Sequence, residues 1–163
     1  MAEEQADFIV DIGASAYFEI TAHLDEAHGF ELLMDAGKEL HAHSVIAGST
    51  HLVDTLRGFD ALAKFVPQGV RPVVWLNEYF GRIESEGKVF ERMAVHERHR
   101  ERISAPVRLA RPNMHTLGRD LETMGVKKLT FDEALRSPDF NLVERQRITF
   151  AQRDILAQLA QVV

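Results

Sequence analysis

The chain has no cysteine, and that one absence removes disulfides, thiolate metal sites and a cysteine nucleophile together. Long apolar runs are missing too. No stretch approaches the length of a membrane span, and the acidic start Met-Ala-Glu-Glu-Gln-Ala-Asp is the reverse of a signal peptide's basic opening. The chain is therefore expected to be soluble, unprocessed and cytoplasmic, with no membrane insertion. Excess positive charge is lacking as well: the net charge of -6 argues against a surface basic all round, as a protein gripping DNA over its whole face often has. There are no internal repeats, no low-complexity tracts, and no match to the phosphate-binding pattern G-x-x-x-x-G-K-[ST].

The remaining composition is that of an ordinary globular protein. Apolar residues make up 45% and charged residues 27% of 163 positions. A chain of this size is most simply one α/β domain over 1–163, able to bury roughly 70% of its unfolded surface.

The stretch Asp7 to Ser15 carries the first structural signal. Phe8-Ile9-Val10-Asp11-Ile12 reads as a short strand buried on both faces, and Gly13-Ala14-Ser15 as the turn into a helix. Asp11 then sits where open α/β sheets hold their ligands. Two readings of it stand side by side: an aspartate of Walker-B type that orders Mg²⁺ beside a phosphate, or a cap on the following helix.

Further strands are expected over Leu40 to Ala47, Arg71 to Asn77 and Ile103 to Leu109, all parallel. Helices are expected over Ala16–Leu24, Phe30–Ala36 with Gly37 as the stop, and Leu52–Val66 behind an N-cap in Gly48-Ser49-Thr50. The same patterns predict a charged helix over about Gly87–Arg102, a helix over His115–Met124, one opened by a capping box at Thr130/Glu133, and a terminal helix from Leu142.

Taken in order, Phe8-Ile-Val-Asp-Ile-Gly-Ala-Ser15, Val73-Val-Trp-Leu-Asn77, Glu86-Gly-Lys-Val-Phe90, Leu129-Thr-Phe-Asp-Glu-Ala-Leu135 and Arg145-Gln-Arg147 resemble the TraL-like ATPases of plasmid conjugal transfer, within the ParA/MinD-type deviant P-loop ATPases. The resemblance implies a Rossmann-like, three-layer P-loop NTPase-type parallel sheet flanked by helices and incomplete at its amino terminus. It implies Asp11 on the metal side and Asn77 on the adenine edge, where an amide offers donor and acceptor together. The loop Arg111-Pro112-Asn113 would close the other side of the base. The family's lysine-bearing Walker A loop would lie upstream of residue 1, so ATP and Mg²⁺ are expected only for a longer native protein, and ATPase activity not for these residues alone. The expected partners are a second copy, the conjugation machinery and DNA. The alternative is a non-catalytic interaction module on a degenerate form of the same fold.

Other constellations compete. His41 and His43 share one face of a strand and His96 and His99 one helical turn, which invites a His-dependent metallohydrolase, although neither pair has H-E-x-x-H spacing or an evident third ligand. Otherwise the first pair sits on a half-covered strand and the second on a solvated helix. Glu19 and His23 form an acid-base pair or a helix-surface pair, and Ser15 lacks the second glycine of a nucleophile elbow. Arg92, Arg98, Arg100, Arg102, Arg108 and Arg111 are the basic concentration of the chain, read either as a DNA-phosphate patch or as a solvated face of mixed charge. Trp75 and Phe80 are read as packing residues.

Overall fold

The computed structural model describes residues 3–13 and 16–162. The order is α1 (Tyr17–Glu26), α2 (Gly29–Asp35), β1 (His41–Ala47), α3 (Leu52–Phe65), β2 (Arg71–Asn77), β3 (Glu84–Ser85), β4 (Lys88–Val89), α4 (Ala94–His99), β5 (Val107–Leu109), α5 (Leu117–Lys127), α6 (Phe131–Arg136) and α7 (Leu142–Leu159).

The run Pro72 to Leu76 becomes the centre of a parallel sheet ordered β1-β2-β5, with Ala47 opposite Asn77 and Asn77 opposite Leu109. Alternation divides its residues between two cores. Val74 and Leu76, with Ile46 beside them, pack on Phe59 and Ala63 of α3. Val73 and Trp75, with Val107, meet Leu159 and Val162 at the end of α7 on the other face. A further cluster of Met124, Ala134, Phe140 and Ile148 joins α5, α6 and α7. This is a mixed α/β fold with helices on both faces of a three-stranded parallel sheet.

Local chemistry fixes the ends of several elements. Gly37, at φ +75°, closes α2: its N–H donates to Met34 O and that of Lys38 to Leu33 O, the reciprocal pair that ends a helix through a left-handed residue. Capping boxes open α6 (Thr130 with Glu133) and α7 (Asn141 with Glu144). The Arg145-Gln-Arg147 motif is structural. Arg145 donates to Ser137 O at 2.8 Å, and Arg147 forks onto the buried Asp120 at 2.7 and 3.0 Å, tying α7 to α5.

Several expectations are corrected. The sheet has three parallel strands, because Phe8 to Ile12 forms none: these residues run irregularly, with Ile9 99% exposed. No neighbouring strand among the described residues takes up their backbone groups, and an apolar run without such a neighbour gains nothing from extending. The turn expected at Gly13-Ala14-Ser15 falls partly, and Ser15 wholly, outside the described residues.

The strand expected from Ile103 starts only at Val107, after Pro106, whose ring nitrogen has no proton to give a ladder. The helix expected over Gly87–Arg102 shrinks to α4. Glu86 and Gly87, at φ +52° and +71°, instead make the two-residue turn of the β3–β4 hairpin. Gly48-Ser49-Thr50 supplies no side-chain cap, since a 3-10 turn over Ser49–His51 leads into α3.

Candidate functional site

Because β1, β2 and β5 run parallel and in register, the loops that follow them start abreast at one edge of the sheet, where α/β sheets bind ligands. Two bonds hold these loop starts together: Gly48 N–H to Asn77 O at 3.3 Å and Glu78 N–H to Leu109 O at 3.0 Å. The loops after β1 and β2 touch closely. A Cβ on Gly48 would lie 2.0 Å from the Gly81 carbonyl oxygen, so only glycine fits. Ser49 beside it holds φ +61°, a conformation that costs a non-glycine residue energy and gathers at functional turns.

Asn77 ends β2, half-buried. Its Oδ1 accepts from the Tyr79 N–H at 3.0 Å, and because that N–H can only donate, the oxygen is fixed there and the amide NH₂ turns elsewhere. Asn113 repeats the device, with Oδ1 accepting from the His115 N–H at 2.9 Å. Arg111 is exposed and in no ion pair among the described residues, and Pro112 is half-buried. The structure thus brings Asn77 and Arg111-Pro112-Asn113 to one edge.

A group missed from the sequence joins them. Phe80, more than half exposed, meets the rings of His51 at 5.0 Å and Tyr79 at 5.2 Å. The signal was present as adjacent aromatics just beyond a strand's carboxyl end. Free amide donors, a guanidinium and an exposed aromatic suit a planar ligand edged with acceptors.

Asp11 is not gathered into this site. It is exposed on the irregular stretch, and no hydrogen bond or ion pair among the described residues involves it. The cap reading fails, since Ala16 precedes α1 with no side-chain cap. No group of three or more Asp, Glu or His side chains among the described residues is arranged to hold a metal ion. No metal side is assembled around Asp11 among the described residues.

The histidine pairs have other employment. Trp75 Nε1–H donates to His43 Nδ1 at 2.9 Å. An indole only donates, so Nδ1 must accept, the ring proton sits on Nε2, and neither nitrogen of neutral His43 keeps a lone pair for a metal. Burial, and next the neighbouring His41, lower the His43 pKa. His41 approaches Glu39 at 3.4 Å, and Glu39 is also paired with Arg71.

His96 and His99 do not face solvent as a pair. His96 packs edge-on against Phe90, while His99 is buried, with Nε2 donating to Asp60 at 2.7 Å. Lys64, His99 and Arg98 all bond Asp60 and hold its carboxyl well below the usual carboxylate range. Glu19 and His23 are both exposed on α1, and no ion pair joins them.

The arginine concentration is largely spent on structure. Arg98 bonds Asp60, Arg100 bonds Glu97 and Arg108 bonds Glu91. Arg102 reaches across to the end of α3 and donates to the carbonyls of Ala63, Val66 and Pro67 at 2.5, 2.9 and 2.9 Å. It satisfies the acceptors that a helix leaves open at its carboxyl end. Arg92 and Arg111 are in no ion pair among the described residues.

Two proteins of Escherichia coli, both named Protein TraL, are 38% and 36% identical to the chain over 159 residues. Each alignment covers 98% of this chain and 66% of the relative, so the chain spans just under two thirds of the length of the relatives it matches. No protein-family model matches the chain. No solved structure matches it either.

Proposed function

We propose that these residues are the carboxyl-terminal part of a ParA/MinD-like nucleotide-binding ATPase that serves plasmid conjugal transfer or maintenance, and that the sheet edge at Asn77 receives the adenine of ATP. The observation that carries this reading is the meeting of Asn77 and the Arg111–Asn113 loop at the carboxyl edge of a parallel sheet, in a chain aligned over 98% of its length with proteins named TraL. Asn77 and Asn113 offer amide donors to the base, and Arg111 and Phe80 flank it.

The phosphate-binding loop and the metal environment of Asp11 then belong to the third of the relatives' length that the chain does not match. Two features agree with that division. β1 is an edge strand whose outer side pairs with no other strand among the described residues, and the apolar run Phe8 to Ile12 has no strand to join. A strand supplied by the unmatched third would serve both. With phosphates and Mg²⁺ held there, Asp11 would act on the metal side, and nucleotide-dependent pairing of two copies would couple ATP to the conjugation machinery.

The test joins this chain to the unmatched portion of a TraL relative and measures nucleotide binding. Asn77→Ala is expected to weaken ATP about tenfold, the loss of roughly 1.4 kcal/mol, while GTP barely changes. Equal losses for both nucleotides would overturn the assignment of the base. An absence of any ATP-induced thermal shift in the joined protein would favour an interaction module that has lost nucleotide chemistry.

A further inference from the structure

Backbone bonds divide the residues of β1 into two sets. Arg71 N–H donates to Leu40 O and Gly48 N–H to Asn77 O, so the even-numbered residues from Leu40 to Gly48 turn their backbone groups toward β2. The odd-numbered ones, His41, His43, Val45 and Ala47, turn theirs away from it. At Ala47 the outward groups are taken: its N–H donates to Thr55 Oγ1 at 3.1 Å, and the same hydroxyl lies 3.4 Å from Ala47 O. No bond among the described residues reaches the outward groups of His43 or Val45, and both residues are exposed.

The opposite edge of the sheet is shut. Glu78 N–H donates to Leu109 O, so Val107 and Leu109 face β2 and Arg108 between them faces outward. The Gln158 side chain of α7 takes both outward groups of Arg108, as a neighbouring strand would. Its Oε1 accepts from the Arg108 N–H at 2.6 Å, and its Nε2 donates to Arg108 O at 3.1 Å. The same Nε2 donates to Asp154 Oδ2 at 3.0 Å, one turn back along the helix, which fixes the way the amide faces. Pro106, just before the strand, has no N–H to offer.

We infer that the sheet takes one further strand along His41 to Val45 of β1 and none beyond β5. Gln158 is the side chain that shuts one edge, and Thr55 marks where pairing on the other must stop. Edge strands left to solvent carry a device against pairing, such as a lysine, a proline, a bulge or a covering group. The β5 edge has two of these, Pro106 and Gln158, while the stretch from His41 to Val45 holds no lysine and no proline. The occupant is a strand from the third of the relatives' length that the chain does not match. The identity of that strand rests on the reading proposed above; the open and the closed edge stand on their own bonds.

Amide hydrogen exchange reads each edge residue by residue. In the present chain the Arg108 N–H should exchange slowly and those of His43 and Val45 fast, and Gln158→Ala should speed Arg108 about tenfold without altering the other two. In the protein joined to the unmatched portion of a TraL relative, the His43 and Val45 N–H groups should slow about a hundredfold while Arg108 stays as it was. Val45→Pro adds a second measurement. It removes an outward N–H that nothing holds, so the thermal midpoint of the present chain should move by no more than about 1 °C. In the joined protein the same substitution should undo the protection at His43.

Equally fast exchange of His43 and Val45 in both proteins would overturn the proposal. So would a marked loss of stability in the present chain carrying Val45→Pro, since the Val45 N–H would then already be held. Protection at His43 and Val45 that appears in the present chain and rises with its concentration would make a second copy the occupant and overturn the strand from the unmatched third. These exchange rates are read without nucleotide. An Asn77→Ala variant that weakens ATP and GTP equally would remove the base assignment and leave the edge pattern standing, so the two proposals fail separately.

Discussion

Phe8-Ile9-Val10-Asp11-Ile12 and Val73-Val74-Trp75-Leu76-Asn77 are nearly the same message: a short apolar, β-branched run with a polar residue at or near its end. Their fates are opposite. The second is the middle strand of the sheet, with Val74 and Leu76 at 0% exposure, while the first is irregular, with Ile9 99% exposed. The difference lies in what surrounds them. The later run has β1 along one edge, β5 along the other, α3 on one face and the end of α7 on the opposite face. The earlier run has no strand on either edge among the described residues. Strand propensity describes how well a side chain fits a half-made sheet, and it does not make the sheet.

Breaking the ordered run should have the largest effect. Leu76→Ala removes a fully buried side chain at the contact of β2 with α3 and is expected to cost about 3 kcal/mol, or roughly 10 °C in the thermal midpoint. Chemical denaturation with an unchanged slope would confirm that the loss is one of stability alone. A loss under about 1 kcal/mol would mean that the site collapses around the cavity and that β2 does not anchor the core.

The same contrast explains what was legible in the sequence. Elements whose partners lie nearby in the chain were read with almost correct limits: α3 up to Phe65, the Gly37 stop and the Thr130/Glu133 capping box. Each is fixed by a local pattern or a bond within a few residues. Strands that depend on distant partners were read correctly where those partners exist, as for β1 and β2, and wrongly at residues 8–12, which have no strand beside them among the described residues. The helix expected from about Gly87 begins inside a hairpin, because the positive φ angles of Glu86 and Gly87 do not show in composition.

The candidate site divides along the same line. Asn77 and Asn113 stand at strand and loop ends that local pattern reveals. The closeness of Gly48 to Gly81, the His51–Phe80 contact and the use of Arg102 at the end of α3 come from chain segments about 30 or more residues apart. Asp11 was placed at the end of a strand that the described residues do not form.

A smaller effect sharpens the comparison from within the ordered run. Trp75 is the sole tryptophan, and its bond to His43 links β2 to β1. Protonated His43 would present an Nδ1–H to the indole N–H, two donors face to face. The folded state therefore resists a proton that the unfolded chain accepts near pH 6.5. With the folded pKa lowered, this contribution to stability is complete above pH 6.5 and is lost as the pH falls through the folded value. Tryptophan fluorescence followed against pH should show a transition centred below 6.5. His43→Gln, whose amide oxygen accepts the same bond without titrating, should abolish it. A midpoint at or above 6.5 would mean that Trp75 does not constrain the ring.

The smallest expected effect is the most telling about the earlier run. Ile9→Asp puts a charge where the structure has an isoleucine open to water, so in this chain it should change stability by less than about 0.5 kcal/mol. In the protein joined to the unmatched third of a TraL relative, the same substitution would put a carboxylate inside a sheet, at a cost of roughly 2 kcal/mol or more. Comparing the two thermal shifts asks whether this run becomes a strand once an edge is supplied. A large loss already in the present chain would mean that residues 8–12 are packed here, and the contrast with β2 would fall. No loss in either form would mean that the run stays outside the sheet even in the longer protein, and with it would go the place proposed for Asp11 beside a nucleotide's metal ion.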